Sequence, residues 1–171
     1  MKKTNIVLIG MPSCGKSVTG VVLAKILKKK YIDADLLIQE KAGRSLQDII
    51  NNDGIDAFKK LEEEVLMSID MDNAVIATGG SAVYYDGAMK HLAENGIVLY
   101  IDVPIDDLKK RLRNIKTRGV AMAKGQTLDD LFEQRRPLYE KYAEVTVVSS
   151  NKNTMEETVE MMVAKLKEAD K

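Results

Sequence analysis

The chain is short of several features that would place it elsewhere. It holds a single cysteine, Cys14, in 171 residues, which excludes an internal disulfide. No apolar run approaches the ~20 residues that a membrane-spanning helix needs. Neither charge is in excess: 26 Lys and Arg balance 26 Asp and Glu, so no global field draws the protein to nucleic acid or to an anionic membrane. Any polyanion must therefore be met locally. The one histidine, His91, has no ligand cluster around it and reads as a surface or packing residue. There is no internal repeat and no low-complexity tract. What is present is a chain with 45% apolar side chains, long enough for one domain with a sizeable core and too short for two ordinary ones. A single domain over residues 1–171 is expected.

Apolar, β-branched runs alternate with amphipathic ones. Buried-strand candidates are 4–10 (TNIVLIG), 31–35 (YIDAD), 73–78 (NAVIAT), 96–103 (GIVLYIDV) and 144–150 (EVTVVSS). Helical spacing is found over 16–30, 36–42, 45–52, 55–71, 86–94, 105–115, 128–142 and 155–169. The run Lys28–Lys30 reads as the solvated end of the first helix, and Met155, Met161 and Met162 as packing residues of the last. Strands alternating with helices imply right-handed crossovers and an α/β fold built on an open parallel sheet. Ligands in such sheets bind beyond the carboxyl ends of the strands. The stretch TRGVAMAKGQT, with flexible or polar turns and little periodicity, is the candidate for a mobile cover.

The first strand runs directly into GMPSCGKS, Gly10 to Ser17, which fits G-x-x-x-x-G-K-[ST]. Strand, glycine-rich loop and helix follow one another as a phosphate-cradling loop requires. Backbone N–H groups of Met11, Pro12's neighbours Ser13, Cys14 and Gly15, and on to Ser17 would wrap a phosphate, with the helix adding its positive end. Lys16 reaches the outer phosphates, and the Ser17 hydroxyl can ligate Mg²⁺. Cys14 reads as a small space-filler in the loop. The pattern begins so early that no secretory leader is expected before it, and the cytoplasm is the expected compartment.

A GTPase switch also needs D-x-x-G and N-K-x-D; the first is missing and NKNT at Asn151–Thr154 lacks the aspartate. Asp102, at the end of an apolar strand, keeps a magnesium role open on spacing alone, against turn chemistry before Pro104. A small-molecule kinase needs an acid beside the acceptor hydroxyl, anchors for the acceptor and cations over the transferring phosphoryl group. Asp33 and Asp35, two apart, are expected at a strand end facing one crevice. Thr78–Ser81 (TGGS) follows an apolar strand, where glycines let a ligand approach the backbone. From Lys109 to Arg136 nine basic residues face three acids, and Arg118 lies in a glycine-bearing loop.

These motifs, in the order GMPSCGKS, DADLLIQEKAGRSLQDII, GIDAFKKLEEEVL, ATGGSAV, KTRG and RRPLYEKYA, make the chain resemble the shikimate kinases over nearly its whole length. The resemblance implies a three-layer P-loop kinase fold, a five-stranded parallel sheet flanked by helices, and a mobile lid at about 112–126. It implies ATP with Mg²⁺ as donor and a small-molecule acceptor, the 3-hydroxyl of shikimate; a same-fold kinase of another hydroxy acid, sugar acid or polyol stays open, as does a nucleotide-binding regulator with little turnover. Catalysis would rest on Lys16, Asp35 and Arg118. The nucleotide would meet Gly10, Met11, Pro12, Ser13, Cys14, Gly15, Lys16, Ser17, Val18, Arg111, which would stack on adenine, and Arg118. Ser17 and Asp33 would serve the metal, Asp33 through water. Asp35, Lys59, Gly79, Gly80, Ser81 and Arg135 would serve the acceptor, Arg135 by its carboxylate. No membrane or nucleic-acid partner is expected, and a monomer is the default.

Three positions depart from the family pattern. Lys59 stands where arginine is usual, and an ammonium cannot reproduce a guanidinium's two-pronged grip on a carboxylate. Ser81 replaces the third glycine of GGG. Gly119 follows Arg118 where proline is usual, loosening the backbone.

Overall fold

The computed structural model describes residues 2–113, 120, 122 and 124–170. Five strands, β1 (Asn5–Ile9), β2 (Lys30–Asp33), β3 (Ala74–Ala77), β4 (Gly96–Asp102) and β5 (Val145–Val148), form one sheet in the order β2-β3-β1-β4-β5. Every pairing is parallel, with Leu8 opposite Ala77 on one side and Leu99 on the other. All five residues of β1 are buried, as its unbroken apolar run requires of a central strand covered on both faces.

Among the described residues the helices are α1 (Lys16–Leu27), α2 (Ala34–Ala42), α3 (Leu46–Asp53), α4 (Ile55–Ser68), α5 (Asp86–Asn95), α6 (Ile105–Arg113), α7 (Leu128–Tyr142) and α8 (Met155–Ala169). The crossover from β1 to β2 runs toward one edge of the sheet and that from β3 to β4 toward the other. Right-handed connections therefore put α1 and α5 on opposite faces, and α8 packs beside α1. Helices α2, α3 and α4 enclose a small second core of Ile38, Ile49, Phe58 and Val65. Capping boxes start α7 (Thr127 with Asp130) and α8 (Thr154 with Glu157), satisfying N–H groups that a helix start leaves open.

Several expected boundaries move. The first helix stops at Leu27 instead of running to residue 30, because Lys28 adopts φ 56° and its N–H caps the carbonyl of Lys25. Lys30 then opens β2 opposite Ala74, and the Lys29 ammonium donates to the Thr4 carbonyl at 2.7 Å and to Asn73 Oδ1 at 2.9 Å. The lysine run is thus a turn into a strand, which helical periodicity cannot register. Helix α4 ends at Ser68, three residues short of expectation, and Ser45 caps α3 from outside it. A 3-10 turn at Ala82–Tyr84 was not anticipated. In α8, Met162 is buried and Met161 packs against the core as expected, but Met155 is exposed. His91 takes a packing role, with Nε2 2.8 Å from the Ile69 carbonyl oxygen. Of the expected cover over 112–126, residues 114–119, 121 and 123 lie outside the described residues.

Candidate active site

The walls of one cleft come from the carboxyl ends of the strands. After β1 the chain turns at Gly10, whose φ is 152° and where a Cβ would sit 2.8 Å from both the Ile101 carbonyl oxygen and Cys14 Sγ. Only glycine fits there. Ser13 and Gly15 follow with φ of 64° and 100°; such alternation curls successive N–H groups into a concave nest. Gly15 enters α1 with no side-chain cap, leaving the helix's first N–H groups to an anion. Met11, Ser13 and Cys14 are buried in the turn, Cys14 as the space-filler its size suggested. Lys16 is also buried, and its ammonium donates to the carbonyls of Gly10 at 2.7 Å and Met11 at 2.9 Å.

Asp33 closes β2 and does two things at once. Its Oδ1 caps α2 by accepting from the N–H groups of Asp35 at 3.0 Å and Leu36 at 3.3 Å. Its Oδ2 accepts from the Ser17 hydroxyl at 2.9 Å and the Tyr31 phenol at 3.2 Å. Burial and the Asp33 charge push the Tyr31 phenol up to about 12, so it remains a donor. Asp35 is not the second residue of a strand end, as its spacing suggested, but lies in the first turn of α2. It still reaches the cleft, because the helix starts immediately beyond the strand.

After β3, Gly79 and Gly80 allow close approach on both sides. A Cβ on Gly79 would lie 2.5 Å from Glu62 Oε2 and 3.0 Å from Asp35 Oδ1; one on Gly80 would lie 2.8 Å from an Arg135 guanidinium nitrogen. Arg135, 2% exposed, projects from the buried face of α7. The same cleft is lined by Pro12, Lys16 and Ser17 on one side and by Asp35, Gly79 and Arg135 on the other. Lys59 is not part of that wall: it is half-buried, with its ammonium 5.7 Å from the centroid of the Tyr84 ring.

Glu62 belongs to the wall and was not among the expected site residues. It is 1% exposed and its Oε1 accepts from the Ser81 hydroxyl. Burial raises its carboxyl to about 7, against the pull of Ser81, Tyr85 and the Arg135 charge, while Asp35 adds to the rise. A signal was present in the sequence: Phe58, Glu62, Val65 and Leu66 share the buried face of α4, and an acid on that stripe needs a partner.

On the far side of the phosphate loop a second hollow is lined by Gly15, Val18, Arg111, Asn153, Thr154 and Met155. The Arg111 Nε donates to Asn151 Oδ1 at 2.8 Å and its Nη1 to the Ser13 carbonyl at 3.2 Å. Exposed Val18 and Met155 beside a guanidinium offer a surface on which a planar base can stack. Asp102 accepts from the Tyr100 phenol at 3.1 Å and is not in either wall. Arg118 and Gly119 lie outside the described residues. Among the described residues no cluster of three His, Cys, Asp or Glu side chains could hold a metal, and no helix is long and apolar enough to cross a membrane.

Comparison with known proteins agrees over nearly the whole chain. The shikimate kinase family model matches residues 12–167. A shikimate kinase of Clostridium botulinum (strain Eklund 17B / Type B) is 35% identical over 158 residues, covering 92% of this chain and 93% of that protein. The structure of the shikimate kinase of Acinetobacter baumannii in complex with shikimate superposes with a TM-score of 0.87 at 28% identity, covering 97% of this chain and 94% of the other. That of Aquifex aeolicus gives 0.81 at 30% identity, covering 95% and 96%. With the family model, the relatives and the sheet in agreement, the chain belongs to the shikimate kinase family.

Proposed function

We propose that the protein transfers the terminal phosphoryl group of ATP to the 3-hydroxyl of shikimate within the single domain 1–171. The observation that carries this is the continuity of the cleft: Lys16 and Ser17 line the same cavity as Asp35, Gly79 and Arg135. A donor held by the loop and an acceptor held by the glycines would face each other without further rearrangement of the sheet.

Phosphoryl transfer asks little covalent chemistry of a protein and depends on alignment and charge neutralisation. The free N–H groups of the loop and of the first turn of α1 up to Val18 enclose the phosphates, Pro12 having none to give, and Lys16 exchanges its loop carbonyls for phosphate oxygens. Arg111 and Val18 hold the base. Asp35 orients the acceptor hydroxyl and takes its proton as the new P–O bond forms and the bond to the leaving nucleotide breaks. Arg135, buried beside Gly80, holds the acceptor carboxylate. Arg118 is assigned, on its motif, to the triphosphate, and closure of 112–126 would exclude water that otherwise competes as acceptor.

The Ser17 hydroxyl and Asp33 carboxylate, 2.9 Å apart, are hard oxygen donors of the kind Mg²⁺ takes alongside phosphates. When bound, Mg²⁺ would neutralise charge on the phosphates; Ser17 would ligate it directly and Asp33 through water. With ATP as donor, the reading places the protein in an ATP-containing compartment, for which we propose the cytoplasm.

The test is a coupled assay of ADP release with ATP, Mg²⁺ and a panel of hydroxylated acids, sugar acids and polyols. Saturable, shikimate-dependent release supports the proposal. Release with a different member of the panel would replace the acceptor, and tight ATP binding without acceptor-dependent release would replace the enzyme by a binding protein.

A further inference from the structure

Tyr84 and Lys59 both lie outside the cleft wall, yet the Tyr84 ring meets Lys59 on one hand and the wall residue Arg135 on the other. The guanidinium carbon of Arg135 is 5.5 Å and the ammonium of Lys59 is 5.7 Å from its ring centroid. The two charges come from different helices, Lys59 from α4 and Arg135 from α7, so one ring is a support shared between them. Among the described residues no carboxylate lies within ion-pair distance of Lys59.

The ring itself is anchored. Tyr84 ends the 3-10 turn that follows Gly79–Ser81, where Ala82 and Val83 are buried and the Tyr84 N–H donates to the Ser81 carbonyl at 3.1 Å. The ring's position is thereby tied to the loop that forms the acceptor wall. Its hydroxyl lies 3.5 Å from Oε1 of Gln134, the neighbour of Arg135 in α7.

A lysine on a flexible stem does not define the direction of a carboxylate as arginine does. A cation held over an aromatic face loses part of that freedom and stays close to where the ring puts it. We propose that Tyr84 is a positioning residue for acceptor recognition: its ring holds the Lys59 ammonium beside the Arg135 guanidinium, so that the two act together on one carboxylate. This rests on the kinase reading of the cleft and deepens it, making selectivity for an acid over its neutral analogue depend on a residue that touches neither substrate.

The experiment compares the KM for shikimate with the inhibition constant of its carboxamide, which keeps the hydroxyls and loses the charge, in wild type, Tyr84→Phe, Tyr84→Leu, Lys59→Met and Tyr84→Leu/Lys59→Met. Tyr84 is 39% exposed, so leucine fits without a buried cavity. The ring's loss in Tyr84→Leu raises the shikimate KM about tenfold, the size of a partly desolvated cation–ring contact. Its kcat, its KM for ATP and the carboxamide constant stay near wild type. Tyr84→Phe keeps the wild-type preference. Lys59→Met weakens shikimate binding in the wild-type background and adds little in Tyr84→Leu. An unchanged shikimate KM in Tyr84→Leu, equal weakening of acid and amide, loss of the preference in Tyr84→Phe, or additive effects in the double variant would each overturn the role of Tyr84. Wild type that releases no ADP with shikimate would instead overturn the function reading, so the two failures are told apart.

Discussion

The hydroxyl of Ser17 donates to Asp33 Oδ2 at 2.9 Å, although the residues are 16 apart and belong to different motifs. One sits at the start of α1 and the other at the end of β2. Their meeting puts a hydroxyl and a carboxylate side by side at the start of α1 and ties the phosphate loop to the helix carrying Asp35.

Asp33 has two duties that substitutions can separate. Asparagine still caps a helix, so Asp33→Asn keeps the bonds to the Asp35 and Leu36 N–H groups but loses the charge. The Mg²⁺ concentration for half-maximal rate should rise about tenfold with the melting temperature almost unchanged, the tenfold corresponding to ~1.4 kcal/mol of lost interaction. Asp33→Ala should lose the cap as well, at about 1 kcal/mol of stability. Equal melting of the two variants would refute this division.

Asp35→Asn keeps the shape of the first turn of α2 but cannot accept a proton. Turnover should fall about 10²- to 10⁴-fold, the usual contribution of a general base. Calorimetric affinity for ADP should stay within about twofold of wild type, since the phosphate loop is untouched. Surviving turnover would remove the base assignment.

Gly79→Ala tests the tightness of the acceptor wall. The added methyl would stand 2.5 Å from Glu62 Oε2 and 3.0 Å from Asp35 Oδ1, so both carboxylates must shift. Asp35 has to give by only a few tenths of an ångström, well under the ~1 Å misplacement that costs about a hundredfold, so a loss of about tenfold in rate is expected. Acceptor-dependent ADP release should drop accordingly with nucleotide binding intact; a variant with wild-type kcat/KM for shikimate would show that neither carboxylate needs its present place.

Glu62 makes stability depend on pH. Burial raises its carboxyl from 4.5 to about 7, so the folded protein holds a proton that the unfolded chain has released. That contribution is full below about 4.5 and is lost as pH rises through about 7. Its size is on the order of 3 kcal/mol from the linkage relation. Glu62→Gln removes the titration and still accepts from Ser81, so its melting temperature should fall less between pH 5 and pH 8 than that of wild type. Identical pH profiles would show that Glu62 stays charged in the fold.

The sheet was legible because its signal is local. NIVLI, AVIA and GIVLYID are apolar runs of strand length, and the five observed strands fall on the five expected segments to within two residues at each end. The phosphate loop was legible for a similar reason: glycines at positive φ, a lysine and a serine all fall within eight consecutive residues, so the pattern is local. Helix ends were less so, since Lys28 leaves α1 by a left-handed turn that apolar spacing does not encode. Met155 lies on the same face as Met162, seven residues on, yet is exposed, because as the first residue of α8 it borders the hollow beside the phosphate loop, and only the tertiary structure shows that the core does not reach that end of the helix.

The sequence alone therefore determined the α/β alternation, the position of the glycine-rich loop between β1 and α1, and the chain's family through the order of its motifs. Tertiary structure alone decided that Asp33 caps a helix while holding Ser17, that Glu62 is a buried acid held by Ser81, and that Lys59 and Arg135 share the ring of Tyr84. The physical reason is range. Backbone conformation and apolar periodicity are set by neighbours a few residues away, whereas a buried charge is set by whatever distant side chains the crossovers bring against it, 19 residues away for Glu62 and Ser81.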